Sequence, residues 1–231
     1  MNSLTNLFLH EQILLLALRD EKGTIDMGVE IQYPLAGAIA AELLLNHKIK
    51  VDESKRRKLI NLIDPAPIGD PILDECLQKV KKAKRRASLQ TWVQRFSSVK
   101  KLKQRLALQL CNRGILKADE DTLLFIFKRK IYPEINHEPE QKFIEQMREA
   151  IFTDKSDVDP KTVVLISLAQ SADLLKMAFD KKELKQRKAR IKQLVNGEIT
   201  GKATKDAIDA MHAAVAIACF VPIMAATAVT N

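Results

Sequence analysis

Asp64-Pro65-Ala66-Pro67-Ile68-Gly69-Asp70-Pro71 is the densest turn signal in the chain, and Ile72, Leu73, Cys76, Leu77 and Val80 follow it at helical spacing. Each proline fixes its own φ, removes an N–H and biases the residue before it toward extended backbone, so no helix crosses this stretch. It opens a new one instead: Asp70 reads as an N-cap with Pro71 at the first helical position. Asp64, Asp70, Asp74 and Glu75 crowd around the turn, and capping and turn roles account for them. The helix dissolves into the cationic run Lys81–Arg86.

Upstream, Leu4, Leu7, Phe8, Ile13–Leu16 and Leu18 predict a helix from Leu4 to Arg19, turned by Asp20-Glu21-Lys22-Gly23. A second helix runs from Tyr33 or Pro34 to Asn46 with Leu35, Ala36, Ile39, Ala40 and Leu43 inward. Ile49-Lys50-Val51 alternates as a strand, and Leu59–Ile63 completes a hairpin with it. Downstream, a short helix surrounds Trp92. Another runs from Val99 to Arg113, with Leu102, Leu106 and Leu110 as its buried stripe and Gly114 at C′.

Next comes a β-hairpin at about 123–133: an acidic turn at Asp119–Asp121, a strand Leu123–Phe127, a Lys128-Arg129-Lys130 tip, and a strand Ile131-Tyr132-Pro133. The order helix, strand, turn, strand thus occurs at both 34–63 and 99–132, an echo of a winged-helix unit. Helices over Glu140–Phe152, Pro160–Phe179, Lys182–Asn196 and Thr204–Phe220 complete the prediction. The apolar stretch Ala213–Val229 contains Pro222, is short of a membrane span and reads as a buried helix.

The 231 residues are 46% hydrophobic, with only 7 Gly and 8 Pro, which excludes disorder and disfavours a turn-rich all-β domain. The expectation is a mainly α chain, residues 1–231 forming one globular domain. Cys76, Cys111 and Cys219 make neither a CxxC pair nor a disulfide framework, which suits a reducing cytosol, and the N-terminus has no signal-peptide pattern. GxSxG, HExxH, Walker and GxGxxG patterns are absent and His10, His47, His137 and His212 are isolated, so no enzyme, cofactor or metal is expected. His137, Glu138 and Glu140 read as a loop histidine beside solvated acids.

Charge is the functional signal. The chain carries +9, yet residues 76–118 hold thirteen Lys/Arg and no acid. Like charges repel along a helix, so a one-signed segment points to an anionic partner. Within it, Lys100 and Lys103 flank the buried stripe of their helix at i,i+3, and two cations on a packed helix hold a phosphate better than mobile ones. The hairpin tip Lys128-Arg129-Lys130, with Phe127, Ile131 and Tyr132 near the acyl boundary, reads as a membrane contact. Two alternatives stand beside a lipid binder. One is a winged-helix-like nucleic-acid binder, although aromatics for stacking are only 5% of the chain. The other is a scaffold for acidic protein tails.

The residues also carry a resemblance. Glu11-Gln12-Ile13-Leu14-Leu15-Leu16-Ala17-Leu18, Gly37-(x)4-Glu42-Leu43, Asp64-x-Ala66-Pro67-x-Gly69-Asp70-x-x-Leu73-Asp74-Glu75, Trp92, Arg105-Leu106-(x)3-Leu110-(x)3-Gly114-Ile115-Leu116 and Ile166-x-Leu168-Ala169-x-Ser171-Ala172-Asp173-Leu174-Leu175 together resemble the Golgi phosphoprotein 3 (GPP34) family, in order and over nearly the whole chain. The resemblance implies a central helical bundle with a few short β-hairpins. It also implies a cytoplasmic, peripherally membrane-associated, non-enzymatic adaptor that binds phosphatidylinositol 4-phosphate or a related anionic head group. Cytoplasmic tails of membrane proteins and self-association are its implied protein contacts, and nucleic acid is not expected. The family's paired pocket arginines correspond to Lys100 and Lys103, with Arg105 close behind as a further head-group ligand. Its pocket Trp falls near Met27 or Gly28 and a further pocket Arg at Ala36, so both are absent here. The start of the chain at the domain itself suits a prokaryotic-type member.

Overall fold

The computed structural model describes residues 6–18, 22–25, 29–52, 54, 58–123, 127–196 and 198. The predicted helix Thr204–Phe220 and the stretch Ala213–Val229 lie outside them.

Three helices make the centre. They are α1 (Leu9–Ala17), α2 (Gln32–Leu45) and α7 (Pro160–Ser171), each in contact with the other two. All of α1 is buried, as is α2 from Pro34 to Leu43 and α7 from Thr162 to Ala169. A helix apolar on every side has to be enclosed, and its neighbours supply the enclosure. Packed around the three are α3 (Pro71–Lys81), α4 (Leu89–Ser97), α5 (Leu102–Asn112) and α6 (Glu138–Phe152), then α8 (Leu175–Ala178), α9 (Lys181–Gln186) and α10 (Lys188–Val195). The mainly α bundle expected from composition is the observed one. The predicted single helix over 160–179 is broken at Ala172–Leu174, where Asp173 takes positive φ, and that over 182–196 breaks at Arg187.

Two acids enter this core because each is fully paired. Glu11, 1% exposed, accepts the Phe8 N–H at 2.9 Å and Arg113 Nη1 at 2.7 and 2.6 Å, joining α1 to the end of α5. Glu42, 2% exposed, accepts the Leu9 N–H at 2.7 Å and lies 3.0 Å from Lys161 Nζ, joining α2 to α1 and α7.

The proline turn acts as predicted. Asp70 Oδ1 caps α3 by accepting the N–H groups of Ile72 and Leu73 at 3.0 and 2.8 Å. Asp74 accepts those of Ile68 and Gly69, and Asp64 that of Ala66.

Three helices end on one device. After α2, α5 and α7 a residue at positive φ (His47, Gly114 and Asp173) donates its N–H back three residues and its successor donates back five. These are Schellman motifs, and they satisfy carbonyls otherwise left open at a helix end.

The two hairpins are β1 (Ile49–Asp52) with β2 (Leu59–Leu62), and β3 (Asp119–Leu123) with β4 (Phe127–Ile131), both antiparallel. The first is as expected. The second is displaced: Asp119–Asp121, read from sequence as a turn, is strand, and Lys128-Arg129-Lys130, read as the tip, is strand opposite it. The register pairs Glu120 with Lys130, Asp121 with Arg129 and Thr122 with Lys128. Cross-strand opposite charges stabilise that register, a pairing that sequence proximity does not display. Leu124-Phe125-Ile126 connects the strands and lies outside the described residues.

Candidate functional site

The thirteen cations of 76–118 are not all available to a ligand. Arg113 serves Glu11, and Arg105 Nη1 lies 2.6 Å from Glu75 Oε2, with Lys79 3.4 Å from the same carboxylate. Arg86 is 3.2 Å from Asp52, and Lys117 is 3.5 Å from Asp119. Folding has therefore brought acids from other segments onto a stretch that has none of its own. Lys81, Lys82, Lys84, Arg85, Arg95, Lys100, Lys101 and Lys103 have no ion-pair partner among the described residues.

This remainder falls on the α3–α4–α5 side of the bundle. Lys79, Lys82 and Arg95 line a groove of about 910 Å³ between α3 and α4, with Trp92 and Ser98 beside them. The Arg95 guanidinium sits 4.6 Å from the Trp92 ring centroid, a cation–π contact that holds it in place. Sequence reasoning passed over Arg95; its spacing of three from Trp92 on a helix was the available signal.

Ser98 leads from that groove into the α4–α5 turn. Here the structure corrects a premise. The helix predicted from Val99 begins at Leu102, and Lys101 takes the left-handed conformation at φ 55°. Lys100 therefore stands in the turn and Lys103 in the first helical turn, so the two are not an i,i+3 pair on one helix. Buried Val99 and Leu102 anchor the turn on either side of exposed Lys100 and Lys101, and Lys103 is exposed beyond them. Gln32 Nε2, at the start of α2, donates to Ser97 O at 2.6 Å and fixes this corner to the core.

The other expected ligands fare differently. Arg105 is occupied by Glu75 and belongs to the scaffold of the site. Burial pushes the Glu75 carboxyl up, but the Arg105 hydrogen bond and charge outweigh it and hold the pKa below its ordinary value. Ala36, at the position where the resemblance asks for an arginine, is 0% exposed inside α2 and leaves no room for one. The position corresponding to the tryptophan, near Met27 or Gly28, lies outside the described residues.

In the second hairpin Arg129 donates to Asp121 Oδ2 at 3.1 and 2.7 Å and is half of an exposed ion pair, whereas Lys130 is exposed without a partner among the described residues. Ile131 is half-buried. Tyr132 is buried and donates its N–H to Gly23 O at 2.9 Å, so it packs under the first helix's turn and does not face a membrane. Gly23 has φ 56° and any Cβ there would overlap the Tyr132 and Pro133 backbone, which explains a glycine at that point.

His137 groups with Glu134 and Glu140, its Nδ1 3.1 Å from Glu134 Oε2 and the three donor atoms within 4.8 Å of one another. Glu138, the neighbour suggested by sequence, is exposed and not part of the set, whereas Glu140, expected to be solvated, is buried. The Glu134 and Glu140 carboxylates have further interactions of their own, so proximity alone does not make the set a metal centre.

The sequence profile of Golgi phosphoprotein 3 (GPP34) matches residues 9–211. The chain belongs to the GPP34 family. Among curated proteins it is similar to vacuolar protein sorting-associated protein 74 of Schizosaccharomyces pombe, 26% identical over 146 residues. That match covers 55% of this chain and 43% of the relative. GPP34 membership accounts for the whole described bundle, from α1 through α10, and for the proline turn that opens α3. No helix among the described residues is long and apolar enough to cross a membrane.

Proposed function

We propose that this protein is a non-enzymatic adaptor that docks peripherally on anionic membranes and reads a phosphorylated head group of the phosphatidylinositol 4-phosphate class. Lys100 and Lys103 are its head-group ligands and Arg105 the scaffold beneath them. One observation carries the reading: of the cations that folding leaves without an acid, Lys100, Lys101 and Lys103 stand together on a corner whose backbone is pinned by Val99, Leu102 and the Gln32–Ser97 bond. Pinned cations lose little freedom on closing around a phosphate. GPP34 membership supports a lipid-binding adaptor at the level of the family, and the yeast relative's name links it to protein sorting.

Lysines in place of the family's arginines supply charge without a bidentate fork, and the pocket tryptophan and one arginine are missing. Affinity then needs a second contact. The hairpin supplies it through Lys130, and through Phe127 and Lys128, whose side chains lie outside the described residues, with Arg129 held by Asp121.

Flotation on vesicles is the test, comparing phosphatidylinositol 4-phosphate with phosphatidylserine at matched surface charge. Preference for the phosphoinositide, abolished by Lys100→Glu/Lys103→Glu, is the expected result. Equal flotation on both would reduce the site to a charge-reading surface, and flotation untouched by the double substitution would remove the assignment.

A further inference from the structure

A second cationic region lies away from the α4–α5 corner, at 174–196, where eight Lys/Arg accompany two acids. The fold sorts these cations by type. Arg187 and Arg190 turn toward α6: Arg187 donates to the carbonyls of Ile151 and Thr153 at 2.8 Å each, and Arg190 to that of Ala150 at 3.1 Å. They close the C-terminal end of α6, where carbonyls lack intrahelical partners. The lysines go elsewhere. Lys181, Lys185, Lys188 and Lys192, spaced i, i+4, i+7 and i+11, rim a groove of about 640 Å³ between the end of α7, α8 and the α9–α10 pair. All four are exposed, and none has an ion-pair partner among the described residues. Lys176 on the same rim is neutralised by Asp173.

The floor is apolar: Leu175 and Ile191 are buried at its base, and Leu184 and Val195 are half-buried along it. We infer that this groove is a docking site for an acidic amphipathic helix of a partner protein, whose apolar stripe covers Leu184, Ile191 and Val195 and whose flanking carboxylates meet the four lysines. Two features select that occupant. The lysine row, Lys181 to Lys192 along α9 and α10, extends at most about 17 Å at 1.5 Å per residue, the length of a three-turn helix, with charges repeating at helical spacing. The surface is also concave, so a flat bilayer meets the lysine rim and leaves the apolar floor uncovered. Charge complementarity then sets orientation and on-rate, and the apolar stripe supplies the affinity. The inference is independent of the head-group site, because none of its residues belongs to that corner.

The test uses the full chain and three synthetic 15-residue peptides read by fluorescence anisotropy. One carries a leucine stripe flanked by glutamates, the second has glutamine for every glutamate, and the third is a shuffle of the first without a stripe. The acidic amphipathic peptide is expected to bind saturably. Glutamine replacement, or Lys185→Glu/Lys188→Glu in the protein, is expected to weaken it about tenfold or more, the scale on which several exposed charge pairs act together. Lys100→Glu/Lys103→Glu leaves this binding unchanged, which separates the groove from the head-group site. Far-ultraviolet circular dichroism checks that the exposed-lysine variants fold. Equal binding of the shuffled peptide, or indifference to Lys185→Glu/Lys188→Glu, overturns the inference. Loss of flotation on phosphatidylserine vesicles in that variant, with peptide binding intact, overturns it in favour of a membrane contact. Binding that emerges only after removal of residues 199–231 overturns it in favour of the chain's own C-terminal segment.

Discussion

Asp70 does two jobs with one carboxylate. Oδ1 caps α3 and Oδ2 accepts Gln109 Nε2 from α5 at 2.6 Å, while His10 Nε2 lies 3.6 Å away. Burial pushes its pKa up, but His10, the Leu73 N–H and Gln109 outweigh burial and hold it below the ordinary value. A group with a depressed folded pKa adds stability above its unfolded value, near pH 3.8, and loses it as pH falls through the lower folded one. Denaturant titrations should show that loss below about pH 4 in the native chain and not in Asp70→Asn. Asp70→Ala removes the cap and strands Gln109, and should cost about 2 kcal/mol at neutral pH. The two arginine pairs on α5 invite a contrast. Glu11 is 1% exposed, so Arg113→Ala leaves a buried charge without its partner and should cost roughly 3–5 kcal/mol. Arg105→Ala breaks a pair in which both side chains are about a third exposed, and should cost at most about 1 kcal/mol in the same assay. Cys76, whose thiol burial pushes up to about 12, should resist alkylation in the folded protein while the half-buried Cys111 reacts faster.

At the scale of elements, helix boundaries were legible where a proline or glycine marks them, as at Pro71, Pro160 and Gly114. Gly114 closes α5 because a left-handed residue is needed there and glycine adopts it without strain; Gly114→Ala should cost about 1 kcal/mol, read by thermal denaturation. His47 and Asp173 close α2 and α7 in the same way, and neither was legible, since only Gly and Asn advertise that conformation. The start of α5 was missed for a related reason: Lys101 in the left-handed region interrupts what reads, by periodicity, as one helix from Val99. The second hairpin shows how register escapes a local reading. Asp119–Asp121 and Lys128–Lys130 look like two solvated turns until Glu120 and Asp121 face Lys130 and Arg129 across the strands, ten and eight residues away. Arg187→Ala, which uncaps α6, should destabilise the chain by about 1–2 kcal/mol without altering flotation on anionic vesicles.

For the whole molecule, charge alone is a weak anchor. Five engaged cations at about 1 kcal/mol each amount to about 5 kcal/mol, or sub-millimolar binding. Flotation should therefore fall steeply between about 50 and 200 mM salt, as the screening length roughly halves; a flat response would mean that apolar insertion, rather than charge, holds the protein on the membrane. The mainly α bundle, the proline turn with its Asp70 cap, the first hairpin and the excess of positive charge were all legible in the chain, because each rests on neighbours within a few residues. Which cations remain available was not. Glu11, Asp52 and Glu75 reach Arg113, Arg86 and Arg105 only when α1, β1 and α3 pack against their partners, and the lysines of α9 and α10 part from the arginines only when α6 presents its carbonyls. Periodicity and capping are local and survive in one dimension. Neutralisation of charge acts through space, so tertiary structure alone decided where this protein keeps its unpaired positive surface.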